Sequence, residues 1–308
     1  MTAAAVLQAT GLGKRYRRTW ALRDCSLAIP EGRVVALVGP NGAGKTTLLH
    51  LAVGLLAPSV GEVRVFGAPP ASGPHVLARV GFLAQDKPLY HGFTVAEMLR
   101  FGARLNPGWD QAVADLWLER FDLPPDRRVG QLSGGQRTQL AVALTLAKRP
   151  RLLLLDEPMA DLDPLVRHDL ARLLMETVAA EGLTVVLSSH VLAELASVCD
   201  YLVLLAVGRV QLAGDTEALL AGHKLLVGPR RDPPTAGPHQ VVAASHTDRQ
   251  TTLLVRTAGP VHDPTWAVHD VGLEQLVLAY MRHPETTALP RPALAAVSAD
   301  ARRGVGNC

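Results

Sequence analysis

The chain has only three cysteines in 308 residues, Cys25, Cys199 and Cys308. They stand far apart and lack metal-ligand spacing, which excludes a zinc module or a disulfide scaffold. They read as two core thiols and one terminal thiol in a reducing compartment. Although 48% of the residues are hydrophobic, no uninterrupted apolar run reaches membrane-spanning length, and Leu202–Val207 is far too short. The start, Met1-Thr2-Ala3-Ala4-Ala5-Val6, has no basic region followed by a long apolar core, so no secretory signal is expected. A net charge of +3 without a basic stripe leads us to expect no nucleic-acid partner. Sustained heptads are absent as well. What remains is a chain long enough for one large or two modest domains with true cores.

What is present is punctuated by glycine. Val34–Val38 reads as a buried strand and runs directly into Gly39-Pro40-Asn41-Gly42-Ala43-Gly44-Lys45-Thr46, then an apolar-rich helix to Leu56. This is a complete phosphate-loop pattern in its proper context. Glycines let the backbone N–H groups wrap β- and γ-phosphates, Lys45 brings a mobile charge to them, and the Thr46 hydroxyl is placed to bind Mg²⁺. Thr47 continues the same helical turn and is taken with the nucleotide-binding set.

A second stretch, Leu132 to Asp163, carries the remaining chemistry. Ser133 and Gln136 have capping-box spacing around Gly134 and Gly135, which predicts a helix whose N-terminus could receive a phosphate. Leu152–Leu155 reads as a fully buried strand that delivers Asp156 and Glu157 to its C-terminal end. Asp163 is a good N-cap and Pro164 a good first helical residue. Thr184–Leu187 predicts another buried strand, with His190 at its exit, where ligands bind in open α/β sheets.

The rest organises around these points. Residues 6–30 predict two strands flanking a turn, with Tyr16 among Lys14, Arg15, Arg17 and Arg18. Val60–Phe66 and Val80–Leu83 predict strands, the second ending at Gln85. Thr94 with Glu97 forms another capping box, and Asp110 caps an amphipathic helix with Val113, Leu116, Trp117, Arg120 and Phe121 on one side, its aromatics expected in the core. Leu202–Leu205 and Val210–Leu212 complete the sheet. Beyond Gly222 the expected elements are strands at Leu225–Val227, Val241–Ala244 and Thr252–Arg256, then a short amphipathic helix through Leu273, Leu276, Val277 and Tyr280.

In this order and spacing, residues 5–220 resemble the ATP-binding subunit of an ATP-binding cassette (ABC) transporter. The motifs are the Walker A loop at 39–46, the Gln loop at Gln85, the LSGGQ signature at 132–136, the Walker B strand at 152–156 with Glu157, the D-loop through Asp163, and the switch His190. The resemblance implies an α/β fold: a P-loop NTPase core with a mixed sheet, an antiparallel β subdomain and an inserted helical subdomain at about 86–150. These would make up residues 1–222, followed by a small α+β accessory domain at 223–283 and a disordered tail at 284–308.

It also implies roles. Tyr16 would stack on adenine. Asp156 would hold Mg²⁺ through water, with Thr46 and Gln85 helping to complete the shell. Glu157 would polarise the attacking water, and His190 would contact the γ-phosphate. Ser133, Gly134, Gly135 and Gln136 would face ATP held by a second ATP-binding subunit, so that two subunits clamp two ATP molecules head to tail. A separate membrane permease would dock near the Gln85 groove, placing the chain at the cytoplasmic face of the membrane. The C-terminal region resembles tails of export-type ATPases, giving export as the expected direction. The alternative is a non-transport ABC ATPase acting on nucleic acid or the ribosome; such chains usually carry two cassettes or a long heptad insertion. Three departures stand out: Ala160-Asp161-Leu162-Asp163 where Ser-Gly-Leu-Asp is common, Arg17 where Gly is frequent, and Thr138-Gln139 for a commoner Gln-Arg pair.

Overall fold

The computed structural model describes residues 5–160, 162–190, 195, 198–232 and 234–284. The chain opens with two twelve-residue antiparallel strands, β1 (Ala5–Tyr16) and β2 (Thr19–Pro30). It continues through β3 (Val34–Val38), α1 (Lys45–Ala52), β4 (Val60–Val65), α2 (Pro74–Leu77) and β5 (Val80–Leu83). Three helices follow, α3 (Val95–Leu105), α4 (Gln111–Arg120) and α5 (Gly134–Ala147). Then come β6 (Leu152–Leu155), α6 (Pro164–Glu181), β7 (Thr184–Ser189), β8 (Tyr201–Ala206), β9 (Arg209–Asp215) and α7 (Thr216–Ala221). The described chain closes with β10 (His223–Pro229), β11 (Gln240–His246), β12 (Gln250–Arg256), β13 (Ala267–Asp270) and α8 (Leu273–Arg282).

A six-stranded sheet in the order β5-β6-β7-β3-β8-β9 carries the fold. Its first five strands are parallel and β9 is antiparallel, so the sheet is mixed. Alternate residues of each central strand enter opposite cores. Leu153 and Leu155 of β6 join the cluster that includes Leu140, Leu146, Leu170 and Leu174, while Leu152 and Leu154 join Leu48, Leu49, Leu22 and Leu27. Residues of β3 divide the same way, Val34, Ala36 and Val38 to one side and Val35 and Leu37 to the other. Burial on both faces is why these strands read as unbroken apolar runs. Each such leucine contributes roughly 1.5–3 kcal/mol by leaving water.

The face served by Leu152 and Leu154 is covered by α1 and by the antiparallel sheet β2-β1-β4. The opposite face is covered by α3 to α6. The capping residues act as expected. Thr94 and Ser133 form reciprocal boxes with Glu97 and Gln136, Asp110 accepts from Val113 N, and Asp163 accepts from Leu165 N and Val166 N. Two cysteines are core thiols: burial pushes Cys25 up to about 11 and Cys199 up to about 12. Cys308 lies outside the described residues, as do residues 285–308 of the expected tail.

Some expectations are corrected. Helix α1 ends at Ala52, not Leu56. The buried side of α4 is Ala114, Trp117 and Leu118, and Leu116 is 44% exposed. Leu116 and Leu118 flank Trp117, and Leu118, not Leu116, shares the core with α5. Beyond Gly222, β11 and β12 form the expected hairpin, but the sheet is four-stranded, β11-β12-β10-β13, because the polar strand β13 pairs with β10. The apolar residues of this C-terminal region serve two clusters. Leu226, Leu253, Val255 and Trp266 form a small core of their own, while Val242, Leu254, Leu276 and Tyr280 join the core that reaches α5 and α6.

Candidate functional site

The C-terminal ends of four neighbouring parallel strands, β5, β6, β7 and β3, point to one edge of the sheet. Gln85 follows the first, Asp156 and Glu157 the second, His190 the third, and Gly39–Thr46 the fourth. A cleft of about 470 Å³ lies there, lined by Ala21, Asn41 to Thr47, Gln85, Glu157, Ala160 and His190.

The loop after β3 needs its glycines. Gly44 has φ +103, and a Cβ there would lie 2.5 Å from Leu22 Cδ2 and 2.6 Å from the Ala21 carbonyl. Strand β2 therefore backs directly onto the loop, and only a residue without a side chain fits. Gly44 is also the N-cap of α1, which has no side-chain cap. By contrast, α3, α4, α5 and α6 each have one. The first N–H groups of α1 are thus left for a ligand, at the end where the helix dipole favours an anion.

Three charged or polar side chains converge on Glu157. Lys45, nearly buried, donates from Nζ to the Gly39 carbonyl at 2.8 Å and lies 3.4 Å from Glu157 Oε1. His190 Nδ1 is 2.9 Å from Glu157 Oε2. The backbone N–H of Glu157 donates to Ser188 Oγ at 2.8 Å, and that hydroxyl donates to Asp156 Oδ1 at 2.6 Å. Glu157 has φ +49, a conformation that side-chain-bearing residues adopt rarely and that clusters at functional sites.

The other Asp156 oxygen, Oδ2, is buried and has no hydrogen-bond partner among the described residues. A buried carboxylate oxygen left without a donor is costly unless something positive meets it. The donor set of Asp156, with the Thr46 hydroxyl and the Gln85 amide oxygen, is all oxygen, as Mg²⁺ requires. The residues fit that ion.

The remaining predicted site residues do not line this cleft. Ser133 to Gln136 cap and begin α5, where Ser133 accepts from Gln136 N and the Gln136 side chain accepts from Ser133 N. Asp163 is occupied at the start of α6. Tyr16 is 46% exposed at the tip of the β1–β2 hairpin, with Lys14 Nζ 5.5 Å from its ring centroid. Of the described residues between 132 and 163, Glu157 and Ala160 line this cleft. Asp161 lies outside the described residues. The unusual Thr138 is buried and donates to the Gly134 carbonyl at 3.1 Å, tying the first turns of α5 together. Ser188 carries no recognisable mark in the sequence; its position is visible only once β6 and β7 lie side by side.

Fold and cleft together define a P-loop nucleotide-binding protein. Residues 22–160 match the family model described as ABC transporter. The sulfate/thiosulfate import ATP-binding protein CysA of Brucella melitensis is 39% identical over 218 residues, 68% of this chain and 60% of that protein. A solved structure described as the ATP-binding subunit of an ABC transporter superposes with a TM-score of 0.65 at 29% identity, covering 70% of this chain and 92% of the other. A dimeric ATP-binding cassette in a post-hydrolysis state, bound to ADP and Pi, gives a TM-score of 0.62 at 25% identity, over 68% of this chain and 98% of that one. The chain belongs to the ABC transporter ATP-binding family. It spans about 60% of the length of the curated relative.

Proposed function

We propose that the protein hydrolyses ATP to ADP and phosphate and uses that reaction to energise transport through a separate membrane permease. The observation that carries this reading is the convergence of Lys45, Glu157 and His190 at one end of a cleft floored by the uncapped N-terminus of α1. Backbone N–H groups of Gly42 to Thr46 bind the phosphates, and Lys45 exchanges its pairing with Glu157 for the phosphate oxygens. Tyr16 stacks on the adenine from the hairpin tip. Thr46, Gln85 and Asp156 would hold Mg²⁺, which when bound would supply positive charge to offset that of the phosphates.

Glu157 accepts a proton from water as the water oxygen bonds to the γ-phosphorus and the bond to the β-γ bridging oxygen breaks. His190 holds Glu157 through Nδ1 and faces the transferred group. Positioning and electrostatic stabilisation supply most of the rate. Glu157→Gln retains the shape of this site but removes the proton acceptor. ATP turnover that survives this substitution unchanged would sink the assignment.

No described helix is long and apolar enough to cross a membrane, and this reading gives the transport path to a separate permease. The permease docks in the groove beside Gln85, which holds the subunit at the cytoplasmic face of the membrane. A second subunit supplies Ser133 to Gln136 to ATP bound at Lys45, which accounts for a signature that lies apart from the cleft of its own chain. The C-terminal region argues for export, whereas the curated relative is named for import. Transport assays in right-side-out and inverted vesicles containing the co-purified permease decide between the two directions.

A further inference from the structure

We propose that Ser188 is a positioning residue that sets both members of the Asp156–Glu157 pair, dividing the two oxygens of Asp156 between protein and cation. This rests on the ATPase reading given above. In the parallel ladder Leu155 lies beside Leu187, so the next step of each strand brings Asp156 alongside Ser188. The Ser188 side chain is buried, and both of its contacts are within ordinary hydrogen-bond range.

A hydroxyl has one proton to give and lone pairs to receive. The Glu157 N–H can only donate, so Ser188 Oγ accepts there. An ionised Asp156 can only accept, so the hydroxyl proton goes to Oδ1. Both directions are therefore fixed by chemistry. With Oδ1 engaged, the carboxylate cannot rotate freely, and Oδ2 is the oxygen that stays buried and unpartnered. The same oxygen atom of Ser188 ties down the N–H of a residue held at φ +49. Metal-binding and proton-accepting carboxylates, adjacent in sequence, are thus aimed by one hydroxyl from the neighbouring strand. Loss of it frees Asp156 to turn and leaves the Glu157 N–H without an acceptor.

The test compares the full-length protein with Ser188→Ala and the near-isosteric Ser188→Cys. Two quantities are read: ADP affinity in EDTA by calorimetry, and Mn²⁺ binding to the ADP complex by electron paramagnetic resonance. Removing a group that orients a metal ligand typically weakens metal affinity about 10- to 100-fold. We expect that loss for Mn²⁺ in Ser188→Ala and a smaller loss in Ser188→Cys, with ADP affinity in EDTA within about twofold of wild type. Mn²⁺ affinity unchanged in both variants overturns the proposal. So does loss of EDTA-stable ADP binding in both, because Ser188 would then be merely structural. A wild-type protein that binds neither ADP nor Mn²⁺ would instead remove the nucleotide reading, and this inference with it.

Discussion

His190 Nδ1 lies 2.9 Å from Glu157 Oε2, although the two residues leave different strands of the sheet. The contact joins a half-exposed ring to a nearly buried carboxylate. His190→Ala is expected to reduce ATP turnover by about 10²–10⁴-fold, the usual worth of a group that positions a proton transfer. ADP affinity should change little, since the loop from Gly42 to Lys45 is untouched. Turnover and equilibrium ADP binding, measured on one preparation, check both halves of this expectation.

Ser133–Gln136 do not line the cleft of their own chain, and under the proposed two-subunit arrangement activity should depend on association. Turnover per chain should rise with protein concentration and fall on dilution. Lys45→Ala and Gly135→Asp should each be inactive alone, the first without phosphate binding and the second with a spoiled signature. Mixing the two inactive proteins should restore measurable activity, because one of the two composite sites is then intact. Absence of rescue, with heterodimer formation verified, would count against sites shared between chains.

Gly44→Ala tests the loop independently of charge. The new methyl group meets Leu22 and the Ala21 carbonyl, and φ +103 is strained for any side chain. Backbone strain of this kind costs on the order of 1–3 kcal/mol. Loss of ADP binding is expected together with a lower thermal midpoint. ADP should raise the midpoint of wild type but not of this variant.

A fourth expectation concerns acid stability. His223 is buried, with Nδ1 2.6 Å from the Leu219 carbonyl and Nε2 2.8 Å from Tyr280 Oη. Nδ1 therefore carries the proton, and Nε2 accepts from the Tyr280 hydroxyl. Burial holds the His223 imidazole below its ordinary value, with Arg256 adding to the effect and the Leu219 hydrogen bond opposing it. The unfolded chain then binds the extra proton more readily than the folded one. Stability from this group is present above the ordinary histidine value, near 6.5, and is lost as pH falls below it. Chemical denaturation between pH 7.5 and 5.5 should show a shallower decline for His223→Gln than for wild type.

Elements with a local chemical mark were legible in the sequence. The boxes at Thr94 and Ser133, the Asp163-Pro164 start of α6, and the four leucines of β6 each state their structure within a few residues. Elements whose state is decided by distant neighbours were not. Strand β13 is exposed along its length and has no apolar alternation; it exists because β10 offers an edge. Leu116 and Leu118 are equally apolar, and only packing beside α5 chose between them. The left-handed Arg17, φ +52, shows why glycine is frequent at that turn, a constraint that the residue types alone leave unstated. Ser188 belongs with this group, since its partners stand 31 and 32 positions away.

The joint at Gly222 has a consequence for anyone trimming the protein. Thr257 donates from both its backbone N–H and its hydroxyl to the Gly222 carbonyl, while His223 reaches back to Leu219 and across to Tyr280. Leu219 and Leu220 pack in the same cluster as Leu276 and Tyr280. A version ending at residue 222 would therefore not be a clean catalytic fragment. It would carry a raw apolar scar beside β9 and should aggregate, and a graft of this C-terminal region onto another cassette would need α7 to travel with it.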